Sequence, residues 1–168
     1  MALTLFIDTY CTVETAETIL GGNPAWDDST LGQKELALRT ATAILDNQEG
    51  WLGIASTADQ SLAWPRASFS YFDKKLNRIV FVEEGTIPPR LTQATAWLAL
   101  HYLTYPSAAT GYEATWDSIT VGPISLSNGN AQADPGTIPR VPTNVVLMIG
   151  PLLSGGGLGK GIAWWRAN

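Results

Sequence analysis

Between Ile87 and Pro106 the sequence runs IPPRLTQATAWLALHYLTYP. Two prolines suit the first turn of a helix, where a missing N–H has no intrahelical partner to lose. Pro106 stops the run, so the spacing predicts a helix ending near Tyr105. Leu91, Ala94, Trp97, Leu98, Leu100, His101, Tyr102 and Leu103 leave it apolar nearly all round after its first turn. A helix of that kind has to be enclosed by other elements. The chain is therefore expected to build a helical bundle around this segment, with Leu91, Trp97 and Leu98 in the core.

Two further helices are expected. Thr12 is an N-cap candidate for a helix from Val13 to about Leu20, ended by Gly21-Gly22. A loop, Asn23 to Ser29, follows. Thr30 with Gln33 forms a capping-box pattern opening a helix from Leu31 to about Asn47. There Leu38, Ala41, Ile44 and Leu45 make an inward stripe, with Lys34, Glu35, Arg39 and Asp46 facing away.

Residues 48–66 read as irregular. Within them DQSLAWPR places Trp64 before Pro65, which disfavours a helical Trp64 and lays its indole as a wedge against the helices. ASFSYF (67–72) and RIVFV (78–82) flank Asp73-Lys74-Lys75-Leu76-Asn77 and predict a short β-hairpin at about 67–83. Residues 107–117 read as loop, and SITVGPISLS (118–127) as strand, bend, strand. Residues 128–140 read as loop or arm. A short helix is expected from about Pro142 to Leu153, weakened at Gly150-Pro151. The fold class is thus mainly α: a small helical bundle with a β-hairpin insertion and an extended C-terminal β/loop arm. The division expected is a helical region, 1–117, and an extended region, 118–168.

Charge narrows the function. Charged residues are 15% of the 168, low against the roughly 25% of ordinary domains, which favours a surface covered by partners. The net charge is −5, with eight acids against two bases in residues 1–50, four against five in 51–105, and three against three in 106–168. An acidic head and a neutral-to-basic remainder suit head-to-tail contacts between copies. That balance argues against nucleic-acid binding, which needs cations to neutralise phosphates. One cysteine, Cys11, excludes an internal disulfide and fits a reducing compartment. No signal peptide or membrane-spanning run is expected.

Catalytic and metal-binding patterns are weak. Gly159-Lys160 is followed by Gly161 where a phosphate loop needs Ser or Thr. His101, the single histidine, sits mid-helix among aromatics and reads as a packed residue, and one Cys with one His makes a zinc site implausible. Asp27-Asp28 and Glu83-Glu84 read as solvated loop charges. No enzyme activity, cofactor or metal is expected.

The chain ends SGGGLGKGIAWWRAN. Four glycines among the first six of these residues cannot form a stable element alone, yet the tip carries Ile162, Trp164, Trp165 and Arg166, types that anchor interfaces. The tip is expected to dock on another protein chain, with folding back onto its own domain as the alternative.

TYCTVETAETIL, ELALRTATAILD, DQSLAWPR, IPPRLTQATAWLALHYL, VGPISLS and IPRVPTNVVLMIGPLLSGGG occur in that order over residues 8–157. This ordered set resembles the head-to-tail adaptor (connector-ring) proteins of tailed bacteriophages, some of which are labelled DnaT-like single-stranded-DNA-binding proteins. The resemblance implies a structural virion protein made in the host cytoplasm, in a ring of about twelve copies closed by heterologous contacts. The ring would sit between the portal protein and a tail, stopper or nozzle protein, with DNA passing through its channel without specific binding and no membrane involved. It supplies no catalytic residues, and by analogy the helices of 13–47 and 88–105 form the bundle. Residues 118–168 then contact neighbours and portal. Assigning Ile162, Trp164, Trp165 and Arg166 to that contact comes from their chemistry, since the tail beyond Gly157 departs from the family pattern. The alternative function is a single-stranded-DNA-binding module that stacks bases on exposed aromatics.

Overall fold

The computed structural model describes residues 3–67, 69–73, 76–109, 118–121, 124–127 and 140–154, with backbone alone for 118–121 and 124–127. The fold is mainly α. Helix α1 (Val13–Leu20) starts where the Thr12 hydroxyl accepts from the Thr15 N–H, at 3.2 Å. A one-turn helix, α2 (Pro24–Asp27), occupies part of the expected loop. Asn23 caps it through Oδ1, and Pro24 supplies the preset first residue. Helix α3 (Leu31–Asp46) opens on the reciprocal Thr30/Gln33 capping box.

Helix α4 (Pro89–Thr104) is the centre of the bundle: α1, α2, α3, the one-turn α5 (Pro106–Ala109) and α6 (Thr143–Ile149) all pack on it. Leu91, Ala94, Leu98 and Tyr102 are its buried stripe. A single 3-10 turn, Gly150–Leu152, continues α6, because Pro151 cannot extend the α-helical ladder. Ser154 and Leu152 then bond back to Gly50 and Leu52 through the backbone, closing the C-terminal helix onto the loop after α3.

The strands form antiparallel pairs among the described residues. β1 (Ile54–Ala55) pairs with β2 (Arg66–Ala67), within and just past the stretch expected to be irregular. β3 (Ser70–Asp73) pairs with β4 (Arg78–Phe81), and β5 (Ser118–Val121) with β6 (Ile124–Ser127). The expected bend at Gly122-Pro123 and the 128–139 loop lie outside the described residues. Gly53 is required at the β1–β2 junction: at φ +74° a Cβ there would stand 2.5 Å from the Ala67 carbonyl oxygen.

Trp64, Leu38, Leu91 and Leu98 have no exposed surface, Ile44 is buried, and Pro65, joined to Trp64 by a cis peptide bond, is half-buried. Trp64 lies edge-on to Trp51 (5.7 Å between centroids) and to Phe69 (5.2 Å), and Phe69 stacks on Tyr71 at 6.4 Å. This aromatic chain runs from the bundle core to the underside of the β3–β4 hairpin.

Three expectations are corrected. Trp97 is not core: it is 37% exposed, because Gln93 and Trp97 fall on the face of α4 that no described element covers. Lys34 does not face away from the bundle. It is buried, with Nζ 2.9 Å from Glu17 Oε1 and above the Trp26 ring, so α1 and α2 together neutralise and cover it. Asp46 turns partly inward, where its carboxylate accepts from the Tyr10 hydroxyl and the Ala63 N–H.

Candidate nucleic-acid interface

Strand alternation splits the β3–β4 hairpin into two unlike faces. Tyr71 and Asp73 point inward and are buried. On the opposite face Phe72 pairs directly with Ile79, and Ser70 with Phe81. Phe72 is 51% exposed and Phe81 80% exposed, and Ile79 and Leu76 stand out beside them. Phe72 and Phe81 are diagonal cross-strand neighbours, close enough for both rings to share one surface. Apolar side chains clustered on so small an element form a patch, whereas scattered exposed residues need no explanation.

The inward face holds the hairpin in place. Arg90, in the first turn of α4, donates from Nε and Nη2 to Asp73 Oδ2 at 3.1 and 2.7 Å. Asp73 Oδ1 accepts from the Leu76 N–H at 3.1 Å, which fixes the turn. The Arg90 guanidinium also lies over the Tyr71 ring, 5.8 Å from its centroid. Asn77 takes the left-handed conformation (φ 49°) that asparagine tolerates in a tight turn. A short two-stranded element is thus anchored at its tip and root, with its aromatic face turned to solvent.

In sequence the connection from β3 to β4 carries Lys74 and Lys75, and exposed Arg78 opens β4 directly opposite Asp73. Arg66 is unavailable to a ligand in this way, since its guanidinium donates to the carbonyls of Leu52, Gly53 and Ala63. A second aromatic surface follows α4, where Trp97, half-buried His101 and exposed Tyr105 recur at helical spacing, with the His101 and Tyr105 rings 5.3 Å apart. Residues 91–105 contain no Lys or Arg, so this stripe lacks the phosphate-neutralising partners the hairpin has.

The remaining candidates are placed as follows. Trp26, Trp51 and Trp64 are buried and cannot stack on a ligand. Trp116, and the tip residues Ile162, Trp164, Trp165 and Arg166, lie outside the described residues. Asp27 caps locally, accepting from the Gly22 N–H. No cluster of three or more His, Cys, Asp or Glu side chains able to hold a metal occurs among the described residues. Burial pushes the Cys11 thiol up to about 12, so it is protonated and unreactive at neutral pH.

The apolar alternation of 67–72 and 78–82 marks the hairpin but not its role. The signal was there: aromatics alternating along both strands, with three cations between Asp73 and Ile79. Summing charge over the whole of 51–105 hid that local cluster.

Comparison with known proteins identifies the family. The model of the family described as "Putative DnaT-like ssDNA binding protein" matches residues 6–166. No curated protein and no solved structure matches. The match covers nearly the whole chain and overturns the expectation of a phage head-to-tail adaptor, a virion connector docked on a portal. The portal, tail-protein and ring partners rest on that resemblance alone. The match also favours single-stranded-DNA binding, the function that the overall acidity spoke against: net charge averages over the surface, whereas a strand contacts only a few side chains.

Proposed function

We propose that this chain, which belongs to the DnaT-like single-stranded-DNA-binding family, is a non-catalytic module that binds single-stranded DNA on the outer face of its β3–β4 hairpin. The observation that carries this reading is the exposed Phe72–Phe81 pair, on a hairpin whose connecting sequence contains Lys74 and Lys75 and whose second strand opens with exposed Arg78. Unpaired bases present flat apolar faces that stack on aromatic rings, a contact worth about 1–3 kcal/mol per base and tolerant of sequence. Lys74, Lys75 and Arg78 supply attraction for the neighbouring phosphates. Duplex DNA hides its base faces in its own stack, so the same surface discriminates against it.

The hairpin strands, at about 3.3 Å per residue, are only about 13 Å long, enough for two or three bases. Three cations release about two counterions on single-stranded DNA, by the slope of about −0.7 per neutralised phosphate. The function therefore predicts modest, aromatic-dominated affinity with a shallow salt dependence.

The test is titration of a labelled oligothymidylate and a duplex of equal length, followed by fluorescence anisotropy over a salt series. Preferential binding of the single strand, with log K falling about twofold as steeply as log salt rises, supports the function. No binding of the single strand at low salt ends it.

A further inference from the structure

Arg90, which bonds Asp73, marks the face of α4 to which the hairpin is fastened. Gln93, Trp97 and His101 recur after it at intervals of three and four residues, and at about 3.6 residues per turn all four fall on one side of the helix. Tyr105, at the C-cap, ends the row. Trp97 is 37% and Tyr105 43% exposed. The half-buried His101 ring lies between them in sequence, 5.3 Å from the Tyr105 ring. The exposed aromatics of α4 therefore begin about 10 Å along the helix axis from the residue that anchors the hairpin.

Charge sets the direction in which a strand can leave the hairpin. Beyond Phe81, at the root, stand exposed Glu83 and Glu84. From Leu91 to Tyr112 the sequence contains no Asp or Glu. A cation stands at the far end of α4. The Tyr102 hydroxyl donates to the Arg140 carbonyl at 2.9 Å, which brings the segment before α6 against the last turn of α4, and Arg140 is exposed there. Burial raises the Tyr102 hydroxyl to about 12 and the Arg140 charge opposes that rise, so the guanidinium acts on the same end of the helix.

We infer that the single strand held on the hairpin continues along this face of α4, with bases stacking on Trp97 and Tyr105 and a phosphate meeting Arg140. The inference rests on the hairpin reading and lengthens its site. Arg90 is no phosphate ligand, since its Nε and Nη2 are both on Asp73. The helix brings no cation of its own, so its share of the binding is stacking, which is tolerant of sequence. Trp97 and Tyr105 are about 12 Å apart along the axis, close to the length of the hairpin strands, which gives room for a further two or three bases. The footprint becomes about five or six nucleotides, within the roughly 4–16 of known single-strand-binding folds.

The test is anisotropy at low salt with labelled oligothymidylates from about three to about eight nucleotides, on the full chain and on Trp97→Leu/Tyr105→Leu, with melting temperatures recorded. The parent's affinity is expected to climb at least about tenfold between three and six nucleotides and then level off. The double variant should match the parent on three nucleotides and gain less than about twofold beyond them. Arg140→Gln, a change at an exposed side chain, should lower the salt slope on six nucleotides by about 0.7 and leave the slope on three unchanged. A double variant that keeps the parent's climb, or an Arg140→Gln slope equal to the parent's, overturns the inference and leaves the hairpin site standing. No binding by the parent at any length ends the hairpin reading and the extension with it.

Discussion

Arg90 Nη2 stands 2.7 Å from Asp73 Oδ2, and this pair fastens the β3–β4 hairpin to the first turn of α4. Asp73 is 6% exposed, so a guanidinium bonded to it helps hold its charge. Removing Arg90 takes away two of the hydrogen bonds to a buried carboxylate. Arg90→Ala is expected to cost about 3 kcal/mol, as for other broken buried pairs, and to weaken single-stranded-DNA binding by loosening the hairpin. Urea unfolding checks the first effect and anisotropy the second. A loss under about 0.5 kcal/mol, the size expected of an exposed pair, would show that the hairpin is held by other contacts.

Trp64 connects the bundle to the hairpin through its edge-on contacts with Trp51 and Phe69. Trp64→Ala leaves a large cavity at the centre of that chain and is expected to destabilise by about 3–5 kcal/mol. The denaturation midpoint reads this directly, and an unchanged midpoint would contradict the packing described.

Burial sets the alkaline limit of stability. It raises the Cys11 thiol from 9.0 to about 12 and the Tyr102 hydroxyl from 10.0 to about 12, the latter partly opposed by Arg140. Burial first, then the hydrogen bond to Asp46 and its charge, push Tyr10 above the usual tyrosine range as well. Each folded-state value lies above the unfolded one. The unfolded chain therefore gives up these protons first, and stability falls as pH rises. The stabilisation is complete below about pH 9 and is lost toward about pH 12, at on the order of 1 kcal/mol per group and pH unit. Melting temperatures from about pH 8 to 11 should decline, and Cys11→Ala should flatten the part of that decline that begins near pH 9.

Glu83 and Glu84 follow Phe81 by two and three residues and are exposed at the root of the hairpin. They lie within about a Debye length of its aromatic face and repel phosphates there. Glu83→Gln with Glu84→Gln should raise single-stranded-DNA affinity about two- to fivefold at low salt, with the gain disappearing at about 0.5 M salt. Unchanged affinity at low salt would place the strand elsewhere on the surface.

Much of the scaffold was legible because its signals are local. The Thr30/Gln33 box, the Thr12 cap and the proline-led start of α4 all depend on residues within one turn. What escaped depends on distant partners. Lys34 is buried because Glu17 and Trp26 come from other helices. Trp97 is exposed because the neighbours of α4 cover its other faces. The hairpin has aromatics on both faces, Tyr71 on one and Phe72 on the other, so alternation alone cannot say which turns outward. The buried Asp73–Arg90 pair decides it, and with it the candidate site. Pro24 following Asn23 was a readable helix start, obscured by the shortness of α2.

The central claim is that the outer hairpin face carries the DNA. The most direct measurement compares the parent chain with Phe72→Ala/Phe81→Ala by anisotropy on labelled oligothymidylate, with melting temperatures recorded alongside. Both rings are exposed, so their loss should leave the melting temperature within a few degrees while affinity falls at least about tenfold, as two lost stacking contacts require. Equal affinity in the two proteins would contradict the assignment of the hairpin as the binding surface.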